Sequence, residues 1–327
     1  MIWIKVKYRL RLAYSSLLFW SRGYKRTLKN KYGERIVLFH GIDVDGQTKY
    51  NSRFVSEAYF EQFIQFCVNN FNVLSLEDYY QGKFKANTLN LVITFDDGYL
   101  NNFEKAVPIL KKYNVPASFF VTRGLRQPEV LWPDFVDLCS YYSDRTAIKA
   151  GNMLFDKQGK AFKHGNIELK SWLTGKSFQE IQDIFQFFSN EWQAIKSKKI
   201  GEYWQLMEGE HIADLAKEEL FTIGVHGSQH ISLANVSLAE AEKDILDNKM
   251  ALEKILAQPV TSIAFPFGHY NADVLAMCRA IGFEKILTVD YVQKADRQIN
   301  DLKNRFVINP YISFEKQLYF LLRGKYE

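Results

Sequence analysis

The chain has 327 residues, 47% of them hydrophobic and 15% aromatic; this is room for one large barrel or two ordinary domains and excludes a disordered chain. The formal charge of +5 is concentrated at one end, because residues 1–35 carry ten Lys or Arg against Glu34 alone. The remainder is net acidic, so a nucleic-acid partner is not expected. Three widely spaced cysteines, Cys67, Cys139 and Cys278, show no C-x-x-C pair and sit in apolar helix-like patterns, which excludes a disulfide framework.

Residues 1–34 read as a basic helical arm. Its longest uncharged run, "LAYSSLLFW", is too short and polar to span a bilayer and has charges on both sides, so no signal peptide or transmembrane segment is expected and the chain is expected in the cytoplasm. Two readings of the arm stand side by side: a solvated or packed helix, or a basic, aromatic-rich helix lying on an anionic membrane surface.

From residue 35 onward short β-rich runs alternate with amphipathic helical stretches, the grammar of a parallel α/β architecture. The strand candidates are "RIVLF", "FNVLS", "LNLVITF", "ASFFVT", "FTIGV", "SIAFPF", "KILTV" and "RFVINP", several continuously apolar as strands buried on both faces should be. Between them, "NFEKAVPILKKY" is helical. "SLAEAEKDILDNKMALEKILA" opens with Ser237 and has Glu240 three residues on, a capping box. "NADVLAMCRAIGF" starts at Asn271 and stops near Gly282. Residues 35–327 thus form one barrel unit, interrupted over about 130–215. That insertion shows no clear strand, and "SFQEIQDIFQFFSNEW" places Phe178, Ile181, Ile184, Phe185, Phe188 and Trp192 on one helical face. A mostly helical insertion is expected, either shaping a substrate cleft or packing without touching substrate.

The chemistry-capable residues fall at strand ends. His40 follows "RIVLF", Asp96 and Asp97 follow "LNLVITF", Thr122 ends "ASFFV", His226 follows "FTIGV", "PFG" closes "SIAF" and Asp290 follows "KILTV". In a parallel barrel these ends collect at one face, where active sites form. "HGSQH" sets His226 and His230 four apart, close enough to converge on an ion in a tight loop. A carboxylate from "FDDG" would complete a His₂–Asp arrangement with open positions. A metal needs an ionised carboxylate ligand and its bound water needs a nearby base; adjacent side chains at a strand end splay apart, so two aspartates can divide these tasks. Gly98 then lets the chain turn close beneath them.

These residues carry a resemblance. "TFDDGYLNNFEKAVPILKKYNVPASFFVT", "IGVHGSQHISLANVSLAEAEKDI" and "IAFPFGHYNADVLAMCRAIGF" resemble the motifs of the polysaccharide deacetylases (carbohydrate esterase family four, NodB-homology domains). The resemblance covers roughly residues 35–125 and 220–310. It implies a distorted (β/α) barrel of about seven parallel strands and metal-assisted hydrolysis of N-acetyl, sometimes O-acetyl, groups on a polysaccharide or lipid-linked glycolipid precursor. Asp97, His226 and His230 would hold one divalent ion, Zn first, with Ni, Co or Mn also suited. Asp96 would be the base, and the backbone N–H of Tyr99 would help the oxyanion. Pro266, Phe267, Gly268 and His269 would line the substrate site. Trp132, in "LWPDF", would either stack on a sugar ring or pack in the core.

Two departures from the family pattern stand out. The arginine that often opens the third motif and orients the catalytic aspartate is Ala264 here; Arg305 either substitutes or merely decorates a strand start. No histidine follows His269, so the late-motif acid has no counterpart. His40 is the replacement candidate, in a segment similar to one in some exopolysaccharide deacetylases, and His269 the second. These departures keep two alternatives open: a carbohydrate-binding pseudoenzyme, and a small-molecule amide hydrolase on the same barrel.

Overall fold

The computed structural model describes residues 32–123 and 129–326, together with Leu10, Ala13, Tyr14 and Leu17. The expected basic arm therefore lies outside the described residues for most of its length. No helix among the described residues is long and apolar enough to cross a membrane.

The continuously apolar runs become the staves of a distorted (β/α) barrel. They are β1 (Gly33–Phe39), β2 (Leu89–Phe95), β3 (Ala117–Val121), β4 (Phe221–Val225), β5 (Ser262–Ala264), β6 (Lys285–Thr288), β7 (Leu302–Asn304) and β8 (Phe306–Val307). They pair in parallel in the order β7-β6-β5-β4-β3-β2-β1-β8, and the short strand Asn72–Val73 adds to β2 off this path. β7 and β8 are separated by Arg305 alone. Residues 302–307 are one stretch of chain that pairs first with β6 and then, past Arg305, with β1. Counted as one strand, this stretch nearly closes a seven-strand barrel; counted as two, the path has eight.

Strand alternation decides what faces where. Phe39, Phe95 and Phe119 are register partners across β1, β2 and β3, and their rings form a ladder with centroids 5.6 and 4.9 Å apart. Phe60 and Phe63 of helix α1 (Glu57–Asn70) pack on Phe39 at 5.1 and 5.3 Å. The next residues along β1 and β2, His40 and Asp96, therefore fall on the opposite, interior side. Helix α2 (Val107–Lys112) follows a π-helical turn over Asn102–Ala106.

Between β3 and β4 the described chain forms α3 (Trp132–Tyr142), α4 (Phe178–Phe187) and α5 (Ser189–Lys196). Ile181, Ile184, Phe188 and Trp192 are buried there, as their helical spacing predicts. The expectation of no strand in this region is corrected. Ala147–Ala150, Met153–Gln158, Ala161–His164 and Ile167–Glu168 make a four-stranded antiparallel sheet. Its strands are short and half exposed, so no apolar run marks them.

Helix α6 (Leu238–Leu256) is capped by Ser237, which accepts from the Glu240 N–H. The Glu240 carboxylate, which a capping box would turn back on Ser237, accepts instead from the Phe178 N–H at 3.1 Å. Helix α7 (Ala272–Ala280) is capped by Asn271 as expected. All three cysteines are buried and unbridged.

Candidate active site

The "FDDG" segment leaves β2 in a tight reversal. The Asp96 N–H still donates to the Phe39 carbonyl at 3.1 Å, but Asp97 and Gly98 both take left-handed backbone conformations, at φ +76° and +82°. Such a conformation is uncommon for a residue with a side chain, and strain of this kind clusters at functional sites. A Cβ on Gly98 would stand 2.7 Å from Val121 Cγ1. Gly98→Ala is therefore expected to destabilise the protein by about 1–3 kcal/mol, from the backbone conformation and the Val121 contact together. Urea unfolding measures this, and an unchanged midpoint would show that the turn relaxes at no cost.

His226 and His230 come from the loop after β4, which α6 holds from beneath. Asp244 accepts from the backbone N–H groups of Ser228 and Gln229 and from the Ser228 hydroxyl. Asn248, one turn on, accepts from the His226 N–H at 2.9 Å. His226 Nδ1 lies 2.8 Å from the Ala264 carbonyl. A carbonyl only accepts, so Nδ1 carries the proton and Nε2 is left as a bare lone pair. Ala264 thus contributes through its backbone.

The two Nε2 atoms converge on Asp97. His226 Nε2 is 3.3 Å and His230 Nε2 3.1 Å from Asp97 Oδ1, and that oxygen is buried without a hydrogen bond. One ligand atom from each residue lies within 4.8 Å of the others. Two imidazoles and a carboxylate oxygen left otherwise unused are the donor set of a divalent-metal site, so the residues fit such an ion. Burial disfavours the Asp97 carboxylate, but Arg53 and then His230 offset this and hold it well below the usual carboxylate range. Burial also opposes charge on His226, where Asp96 and Asp97 outweigh it and raise the pKa; on His230 burial wins and lowers it.

Asp96 faces a different partner. Arg305 Nη1 and Nη2 donate to its two oxygens at 2.6 and 2.7 Å, a bidentate, fully buried pair. Of the two readings of Arg305, the geometry is that of an orienting residue. Burial disfavours the Asp96 charge, and Arg305 followed by His226 more than compensates, so its pKa is lowered. Its Oδ2 remains 3.7 Å from His226 Nε2, so the carboxylate edge borders the three-ligand cluster.

Sequence reasoning missed a second polar cluster. Arg53 donates to Asp97 Oδ2 at 2.9 Å, to the Tyr99 hydroxyl at 2.6 Å and to Asp134 Oδ1 at 2.8 Å. The Tyr99 hydroxyl donates to Asp134 Oδ2 at 2.6 Å, and the Asn51 amide donates to Asp134 Oδ1 at 3.0 Å. Arg53 thereby occupies Oδ2 of Asp97 and leaves Oδ1 for the imidazoles. Burial lifts the Asp134 pKa to about 6 even with Arg53 beside it. The available signal was slight: Asp134 sits in the first turn of α3, where an acidic residue is ordinary, and Arg53 lies in irregular chain.

The remaining candidates divide. His40 is partly exposed; burial first and Arg53 second push its pKa down to about 3, which favours the neutral imidazole. His269 is exposed, with Nδ1 2.8 Å from the Ser232 hydroxyl. Phe267, at φ +59°, sets its ring 4.7 Å from His230. Tyr99 is fully buried with its hydroxyl in the Arg53 cluster, which leaves the role given to its backbone N–H untouched, and Pro266 and Gly268 are buried. Trp132 is 2% exposed and donates through Nε1 to the His230 carbonyl at 2.9 Å, so it packs and fixes the histidine loop instead of stacking on a sugar.

Comparison with known proteins agrees with this geometry. The sequence profile described as polysaccharide deacetylase matches residues 85–136 and 183–286. YxkH of Bacillus subtilis (strain 168), named for that same family, is 20% identical over 200 residues, 61% of this chain and 44% of that protein. The chain thus spans less than half the length of this curated relative. Among solved structures, the Streptococcus pyogenes deacetylase PplD in complex with acetate superposes with TM-score 0.56 at 19% identity, covering 87% of this chain and 96% of that one. IcaB from Ammonifex degensii gives 0.53 at 15%, over 89% and 97%. BC0361, a polysaccharide deacetylase from Bacillus cereus, gives 0.53 at 18%, over 88% and 68%. At these identities the structural likeness is one of fold. The matched segments carry both "FDDG" and "HGSQH", and the chain contains a polysaccharide deacetylase domain.

Proposed function

We propose that this chain hydrolyses acetyl groups, N-linked or O-linked, on a polysaccharide or lipid-linked sugar, using one divalent ion held by Asp97, His226 and His230. The observation that carries this reading is the buried, unbonded Asp97 Oδ1 facing two imidazole Nε2 atoms beside an aspartate locked by Arg305. Zinc suits the donor set first, with nickel, cobalt and manganese as alternatives. When bound, the ion polarises the acetyl carbonyl and acidifies water.

The chain's own residues do the rest. Arg305 keeps Asp96 ionised and fixed, and a carboxylate retains lone pairs beyond those given to the guanidinium. Asp96 accepts the proton of the attacking water as its oxygen bonds to the acetyl carbon. The carbon–nitrogen bond (carbon–oxygen for an ester) then breaks, and Asp96 returns that proton to the leaving atom. His40, at the end of β1, is the other candidate donor for this second step. Arg53 holds Asp97 so that a single oxygen serves as ligand. The Streptococcus pyogenes neighbour, a deacetylase in complex with acetate, supports acetate as product.

The test is acetate release from N-acetylglucosamine oligomers by protein loaded in turn with each of the four metals. Release that stops on chelation and returns with metal is expected. A metal-loaded sample with neither acetate release nor a gain in thermal stability would sink the reading.

A further inference from the structure

Beside the metal-ligand cluster the insertion opens a groove of about 590 Å³, within the size range of small-molecule sites, about 300–1,000 Å³. It runs from the barrel rim, at Thr122 and Gln229, to the outer turns of α4 and α5. Half-buried Phe185 lines it, stacked at 4.2 Å and 19° on Phe135, and Phe135 and Trp192 are buried beneath with their rings 5.2 Å apart. Gln182, Gln186, Ser189 and Gln193 recur at spacings of four, three and four along its wall, all exposed. Of the acidic residues on these two helices, Glu180 pairs with Lys176, Glu191 pairs with Arg145, and Asp183 is not in the lining. The charge in the lining, Glu129, is matched by Lys196 at 3.0 Å and accepts from Trp192 Nε1 at 3.3 Å.

We propose that this groove is a subsite for neutral sugar units that flank the unit being deacetylated. The inference rests on the hydrolase reading only for the identity of the polymer. A primary amide both donates and accepts, as sugar hydroxyls and acetamides require. The half-buried rings of Phe178 and Phe185 suit the apolar C–H face of a pyranose, and a lining without unmatched charge favours a neutral chain over an anionic one. The groove is joined to the centre, since Gln229 precedes His230 and Trp132, at the start of α3, is bonded to the His230 carbonyl. Long substrates would then bind through the insertion, with the acetyl group presented at the barrel mouth.

The test compares the full chain with the triple variant Gln182→Ala, Gln186→Ala, Gln193→Ala, at exposed positions where the fold is expected to survive; circular dichroism checks this. Metal-free protein is titrated calorimetrically with N-acetylglucosamine and with its tetramer. The tetramer should bind the natural sequence about tenfold more tightly than the monosaccharide, and the variant should lose that advantage while keeping monosaccharide binding. In turnover, KM for the tetramer should rise with kcat unchanged. Equal tetramer binding by both proteins, or no gain with length, overturns the groove. Length-dependent binding lost in the variant but without acetate release from any metal-loaded sample supports the groove and sinks the hydrolase; acetate release with an unmoved KM does the reverse.

Discussion

Replacing Arg305 with Met is expected to destabilise the protein by about 3–5 kcal/mol at pH 7, the usual cost of breaking a buried ion pair from one side, and to move the acid limb of activity upward. The Arg305 side chain is fully buried and gives both its terminal nitrogens to Asp96. Methionine fills most of its stem but supplies neither donor nor charge, which leaves a buried carboxylate without its bidentate cationic partner. In the natural protein the Asp96 pKa is lowered. Its pairing therefore contributes stability that is fully present above the unfolded carboxylate pKa, near 4, and is lost as pH falls through the folded value. The gap between the two proteins should be widest near neutrality and narrow below about pH 4. A base must be ionised to act, so raising its pKa pushes the acid limb of kcat/KM toward neutral pH. Arg305→Lys keeps the charge but not the bidentate fork, and should restore the limb more fully than the stability. Urea unfolding at pH 7 and pH 4, with a pH–rate profile, measures all of this; equal midpoints and an unmoved limb would make Arg305 a bystander.

Asp96→Asn and Asp97→Asn should separate along the line that Arg305 and Arg53 draw between the two carboxylates. Asparagine at 96 keeps the shape but cannot take a proton, so acetate release should fall by about 10²–10⁴. The three ligands are untouched, and metal content after gel filtration should stay at one ion per chain. Asparagine at 97 removes the charged ligand oxygen that faces both imidazoles and leaves Arg53 without its Oδ2 partner. Metal content and activity should fall together, and added metal should no longer raise thermal stability. Equal metal loss in both variants would end the division between ligand and base.

What could be read in advance follows the range of the interactions. β2 is buried at all seven positions, so its strand and the "FDDG" at its end were legible from local pattern, as was H-x-x-x-H. Arg305 was legible only as one of two readings, because its partner lies 209 residues away. Arg53 and Asp134 gave no usable pattern, since they meet only after α3 folds over the barrel rim. Trp132 was open between stacking and packing, and its Nε1 bond to the His230 carbonyl decides for packing. The four-stranded sheet of the insertion escaped because its strands are short and face solvent on one side.

The partner switch at Arg305 has a consequence for how the chain becomes competent. Among the described residues the stretch 302–307 is the last piece of sheet in chain order, and it alone joins the β6 edge to the β1 edge. The residue at the crossing is the one that grips Asp96, so ring closure and arming of the base are a single event. A nascent or partly opened chain already carries Asp97, His226 and His230, yet its proton acceptor is unanchored. In the proposed mechanism the proton acceptor is therefore held in place only once this pairing has formed.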